Sequence, residues 1–260
     1  MLKFARYVQP QSAKQALSYM QDDCAAVAGG VFINLANQEV QTAVDLSSLG
    51  LDFISDKGDS IEIGAMTTLR EVETSSLLAE NFGGILPKAA SFIMGVQLRN
   101  LATFGAPIAA KIGFSNILTS VLAIGGKLVF AGAGEVDIEK FVQNPQTEKD
   151  LLEKIVLSKQ KDAAFSFSIY QKSTLDFPVL NVALNKAKDC VRIAVGARPS
   201  PAILCKDAQS VFKQSGDCKK AAVAASEEIE FGDNLRGSAE YRKLICKTLV
   251  EKALLEVKNG

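Results

Sequence analysis

Histidine is absent from all 260 residues, which removes much of the chemistry a protein can do unaided. Neither a Ser-His-Asp nor a Cys-His arrangement can be assembled, and no histidine can ligate a metal. The carboxylates stand in no pair at a telling spacing. The five cysteines (Cys24, Cys190, Cys205, Cys218 and Cys246) are scattered, odd in number and without a Cys-x-x-Cys pair. They predict reduced thiols in the cytoplasm, packed as small hydrophobes, and no metal site. If the chain is a component of an enzyme, its chemistry is expected to be carried by a bound cofactor.

What remains is main chain. Ala25-Ala26-Val27-Ala28-Gly29-Gly30-Val31-Phe32-Ile33 runs from an apolar strand into a glycine turn. It has the character of a phosphate-binding turn, with bare N–H groups pointing outward, although a Gly-Gly pair is also compatible with a plain turn. A second small-residue turn, Thr103-Phe104-Gly105-Ala106-Pro107, sits inside the stretch from Gln97 to Ile124. Small side chains there leave backbone N–H groups uncovered. Two such loops predict a pocket built from main chain.

The elements that must position these loops read as a mixed α and β chain. Apolar residues make up 48% and charged residues 22%, as in a soluble globular protein. Lys+Arg and Asp+Glu balance at 29 each, so no basic excess points to nucleic acid or an anionic membrane. The N-terminus lacks the apolar core of a signal peptide, and no apolar run reaches spanning length. Strands are predicted at Phe4 to Val8, Cys24 to Ala28 and Ala43 to Leu46. Hairpins are predicted around Asp56 to Asp59 and around Gly132 to Gly134. Ser12–Gln15 and Thr68–Glu71 read as capping boxes. Helices are expected at Leu86 to Ile93 and Asn116 to Ile124. Beyond a boundary placed near Lys159 to Asp162, strands are read at Phe165 to Tyr170 and Cys190 to Val195. Val179 to Ala187 stays open between helix and strand. Two helices follow, and a last one from Ser238 to about Val257 carries Tyr241, Leu244, Ile245 and Leu249 on one face.

In this order the segments resemble the FAD-binding, medium subunit of the molybdenum hydroxylase family, which includes xanthine dehydrogenase and carbon monoxide dehydrogenase flavoproteins. Five stretches carry the resemblance: Ala28-Gly29-Gly30, Ile63-Gly64-Ala65-Met66-Thr67-Thr68, Leu98 to Gly105, Val191 to Gly196, and Leu235 to Arg242. It implies an α+β fold, with a two-subdomain FAD-binding domain over 1–160 and a small α+β C-terminal domain over 161–260. It implies an oxidoreductase subunit that passes electrons from 2Fe-2S clusters through non-covalent FAD to NAD or another acceptor. Partners are then a 2Fe-2S small subunit and a molybdopterin-binding large subunit in a hetero-oligomer. The flavin contacts it implies are Ala28, Gly29, Gly30, Val31, Phe32, Ile33, Thr67, Thr103, Gly105, Ala106 and Asn116. Thr103 alternatively caps its turn, and Asn116 reads equally as a helix N-cap or a ribose contact. Arg99 and Asn100 read as structural. Arg236, Glu240, Tyr241 and Arg242 are expected to hold the last helix.

The chain departs from the family pattern at four places. Val31 stands where Thr or Ser is expected, Ala106-Pro107 where Gly-Asn is, Asn116 where Asp is common, and Ser168 where a Lys falls. These departures define the alternative, a flavin-free structural subunit that keeps the fold and its assembly surface.

Overall fold

The structure, a computed structural model, describes residues 2–20, 23–35, 38–144, 149–188 and 190–259. The chain forms two compact units, one from Met1–Val72, Gly95–Ala109 and Gly126–Ser158, the other from Glu73–Met94, Ala110–Gly125 and Lys159–Gly260.

In the first unit, β1 (Lys3–Val8), β2 (Cys24–Val27) and β3 (Glu39–Asp45) form a parallel sheet in the order β1-β3-β2. Parallel neighbours need crossovers, and α1 (Ala13–Tyr19) and α2 (Val31–Leu35) lie on them. Successive β3 residues face opposite sides: Val44 packs with Ala16 and Leu46, Ala43 with Leu2 and Ala25. The Ser12 hydroxyl accepts from the Gln15 N–H at 3.2 Å, but the Gln15 side chain turns to the Gln11 N–H. The Ser12 capping box therefore forms by half.

Both predicted hairpins appear in an antiparallel sheet of β4 (Ile54–Asp56), β5 (Ser60–Gly64), β6 (Lys127–Phe130), β7 (Gly134–Asp137) and β8 (Leu152–Ser158), ordered β4-β5-β8-β6-β7. Ile61 and Ile63 are fully buried, as are Leu128, Ile155 and Leu157 on its neighbouring strands. The Thr68 box closes completely at the start of α3 (Leu69–Thr74): Glu71 accepts from the Thr68 N–H at 2.8 Å, and the Thr68 hydroxyl accepts from the Glu71 N–H at 3.2 Å. Short helices α6 (Val96–Arg99), α7 (Ala106–Ala109) and α9 (Ile138–Gln143) complete this unit.

The second unit contains α4 (Ser76–Asn81), α5 (Ile85–Ser91) and α8 (Asn116–Ile124). Its antiparallel sheet runs β12-β11-β10-β9, from β9 (Ala164–Tyr170), β10 (Leu180–Lys186), β11 (Val191–Gly196) and β12 (Ile203–Leu204). The open stretch at Val179 to Ala187 is thus a central strand. It is buried on both faces: Leu180, Val182 and Leu184 join the core, while the Asn181 and Asn185 side chains bond to α8. That core also holds α10 (Lys206–Ser215), α11 (Cys218–Glu228) and α12 (Ala239–Asn259).

The expected apolar face of α12 needs correction. Leu249 is buried and Ile245 packs on the core as expected, but Tyr241 and Leu244 are exposed, at 38% and 62%; the inward residues are Arg242, Cys246, Leu249, Val250, Ala253, Leu254 and Val257. A buried arginine shifted the face, because a charged residue reads as solvent-facing in sequence. Cys205, Cys218 and Cys246 are core residues as expected, whereas Cys24 is only half-buried and Cys190, just before β11, is exposed. Burial pushes the Cys246 thiol up to about 12 and raises Cys205 as well, which suits inert packing. Among the described residues no group of three potential metal ligands occurs, and no helix is long and apolar enough to cross a membrane.

Candidate functional site: two glycine loops held against each other

Both small-residue loops lie in the first unit, and they touch. Strand β2 ends at Val27, and Gly29-Gly30 turns the chain into α2. A Cβ on Gly29 would lie 1.6 Å from the Leu101 carbonyl oxygen, so the backbones meet with no room for a side chain. Gly30 is left-handed, with φ +73°, where any other residue is strained. The opening N–H groups of a helix have no carbonyl one turn earlier to donate to; those of α2 begin at Val31.

The second loop is held by the segment Ala65 to Thr68. The Leu69 N–H donates to Ala102 O at 2.8 Å, the Phe104 N–H to Thr67 O at 2.8 Å, and the Gly105 N–H to Ala65 O at 2.9 Å. A Cβ on Gly105 would sit 2.5 Å from the Ala65 Cβ. Three stretches separated in sequence therefore converge on one main-chain junction.

This geometry sorts the expected contacts. The first loop meets the second at Gly29, against Leu101 and Ala102, the residues just before Thr103. Gly29 and Gly105 are used by the chain itself for close packing, and the Phe104 and Gly105 N–H groups are already committed. Ile33 packs on Leu2, Ala25 and Ala43. The Thr67 hydroxyl, 1% exposed, donates to Phe53 O at 2.8 Å. Pro107 falls in the first turn of α7, where a missing N–H costs the helix nothing but removes an outward donor. Thr103 is different. Its hydroxyl is buried and has no hydrogen-bond partner among the described residues. An orphaned buried hydroxyl costs free energy unless something else fills its valence.

Asn116 belongs to the other unit, on α8. Ser115, not Asn116, is the N-cap, accepting from the Leu118 N–H at 2.9 Å. The Asn116 amide donates to Ala89 O at 3.3 Å and accepts from Asn181 Nδ2 at 2.8 Å. Asn181 Oδ1 in turn accepts from the Thr119 hydroxyl at 2.9 Å. The residue is 3% exposed, so the expected ribose contact finds no support in this geometry. Introducing the carboxylate common in the family would lose the bond to Ala89 and bury a charge. Asn116→Asp is therefore expected to destabilise the protein by about 1–3 kcal/mol, even allowing for its favourable place at a helix start. A urea midpoint equal to or above wild type would refute this. Ser168, also in the second unit, is buried in β9.

One residue escaped the sequence reading. Asn34 Nδ2 lies 3.4 Å from where a Gly30 Cβ would be. The available signal was an amide one helical turn beyond a Gly-Gly pair.

The profile of the FAD binding domain in molybdopterin dehydrogenase matches residues 2–159. The chain belongs to that family. The CO dehydrogenase flavoprotein C-terminal domain matches residues 165–257. This family member is an oxidoreductase flavoprotein component of the xanthine and CO dehydrogenase-like type, with the fold expected for it. Among relatives, the uncharacterized protein YgfM of Escherichia coli K12 is 27% identical, covering 94% of this chain and 93% of its own. The 6-hydroxypseudooxynicotine dehydrogenase complex subunit alpha of Paenarthrobacter nicotinovorans is 26% identical, covering 95% and 92%. A chain of carbon monoxide dehydrogenase from Hydrogenophaga pseudoflava superposes with TM-score 0.89 at 22% identity, covering 99% and 98%.

FAD fits the first-unit loops on two observations of this structure. The Thr103 hydroxyl lacks a partner among the described residues, and the left-handed Gly30 leaves a cradle where a side chain would stand.

Proposed function

We propose that this chain is the electron-transfer subunit of a cytoplasmic, multi-subunit molybdenum hydroxylase. In this reading, residues 1–160 form the FAD-binding domain and 161–260 the C-terminal domain. The partners are a 2Fe-2S small subunit and a molybdopterin-binding large subunit. The single observation that carries the reading is the orphaned Thr103 hydroxyl on a loop packed against the Gly29-Gly30 turn, in a family defined by FAD binding.

Bound non-covalently, FAD would supply the redox centre between the partner's 2Fe-2S clusters and NAD or another acceptor. The chain's own groups bind and orient. The Thr103 hydroxyl and the backbone around Gly29 to Val31 would hold the nucleotide. The Phe104 and Gly105 N–H groups keep the second loop in place by bonding Thr67 and Ala65. No Cys adjoins the glycines of either loop, and the chain has no His, so no covalent flavin link is expected.

Titrating FAD into the purified chain, followed by absorbance, should give stoichiometric uptake, removable by denaturation. A colourless protein that takes up no FAD would refute the reading. It would favour the flavin-free structural subunit, which draws support from Pro107, the Val31 side chain and the satisfied Asn116 amide.

A further inference from the structure

We infer that Asn34 is a diphosphate-binding residue, its side-chain amide supplying the donor that Val31, without a hydroxyl, does not. The inference rests on the FAD reading above. Helix α2 has the sequence Val-Phe-Ile-Asn-Leu, in which Asn34 is the one polar side chain. The Asn34 N–H donates to Gly30 O at 3.3 Å, which places the residue one turn above the glycine. From there Nδ2 reaches to 3.4 Å of the position a Gly30 Cβ would take.

A solvent-facing Asn needs no explanation by itself. This one stands over the left-handed glycine of a turn packed against Leu101 and Ala102, and the buried, unpartnered Thr103 hydroxyl comes next in that loop. An amide N–H and a hydroxyl are both suited to anionic phosphate oxygens, and bonds to charged acceptors are the stronger ones. Diphosphate is the chemistry they share, whether it comes from FAD or from an ADP-like nucleotide.

The experiment titrates the full-length chain, as wild type and as Asn34→Lys, Asn34→Leu and Asn34→Asp, with FAD, with riboflavin and with ADP in competition. Asn34→Leu should weaken FAD about tenfold, the loss of one hydrogen bond to a charged group. Asn34→Asp should weaken it further by repulsion, and Asn34→Lys should tighten it. Competition by ADP should fall in the same order if the diphosphate is the contact, whereas riboflavin, which has no phosphate, should bind all four alike. Melting temperatures of the unliganded proteins should agree, since Asn34 is exposed. Wild-type FAD affinity in Asn34→Leu, or riboflavin weakened in parallel with FAD, would overturn the assignment while leaving the FAD reading standing. Failure of wild type to take up FAD would overturn both.

Discussion

Gly29→Ala is expected to unfold the loop junction and abolish FAD uptake at micromolar concentrations. The new Cβ would lie 1.6 Å from Leu101 O and 2.6 Å from its carbonyl carbon, both backbone atoms that no rotamer change can move aside. One of the two loops has to shift, taking with it the bonds from Leu69, Phe104 and Gly105. Overpacking of this kind costs about 3 kcal/mol or more when the backbone must give. Gly50→Ala is the control, because Gly50 is left-handed, with φ +64°, but has nothing within 4 Å. It should lose only the conformational cost of roughly 1–2 kcal/mol and leave flavin affinity alone. Thermal melts and flavin fluorescence on both variants decide the matter. Equal stability of the two would mean that the loops do not pack as described.

Arg242→Met is expected to cost about 3 kcal/mol or more, since each buried acceptor left without a donor costs about 1–3 kcal/mol. Arg242 has no exposed surface at all. Its guanidinium donates to Val179 O at 3.0 Å, Ala197 O at 3.2 Å, Gly232 O at 2.7 Å, Asn234 Oδ1 at 2.7 Å and Gly237 O. One cation thus ties α12 to the residue before β10, the residue after β11 and the turn at Asn234–Gly237. Methionine fills similar volume but leaves those acceptors buried without a donor, the costly half of a broken hydrogen bond. Arg242→Lys should recover part of the loss, since an ammonium has three donors without the planar fork. Urea midpoints measure both. A methionine variant within 1 kcal/mol of wild type would show that the turn relaxes to satisfy its own carbonyls.

The sequence alone determined what is local. The Thr68–Glu71 box, the hairpins at Asp56 to Asp59 and Gly132 to Gly134, and the helix at Asn116 to Ile124 rest on contacts between near neighbours in the chain, the widest being the hairpin pairs Ile54 with Ile63 and Lys127 with Asp137. Such contacts survive in any tertiary context that keeps the backbone. The two glycine loops were equally visible, because Gly-Gly and Thr-Phe-Gly-Ala-Pro carry their conformational preferences with them. Five ordered motifs were enough to suggest the family.

Only the tertiary structure decided what each group faces. Gly29 reads as a ligand-facing glycine until Leu101 arrives from a distant segment and takes the space. The Phe104 and Gly105 N–H groups look uncovered until Thr67 and Ala65 accept from them. Asn116 stays open between cap and ligand until Asn181 occupies its amide and Ser115 takes the cap. Arg242 looks like a surface charge until five acceptors close around it. Thr103 is the converse case, a hydroxyl left without a partner among the described residues. Whether a polar group is spent or spare depends on every segment that folds against it, and local spacing holds no record of that sum.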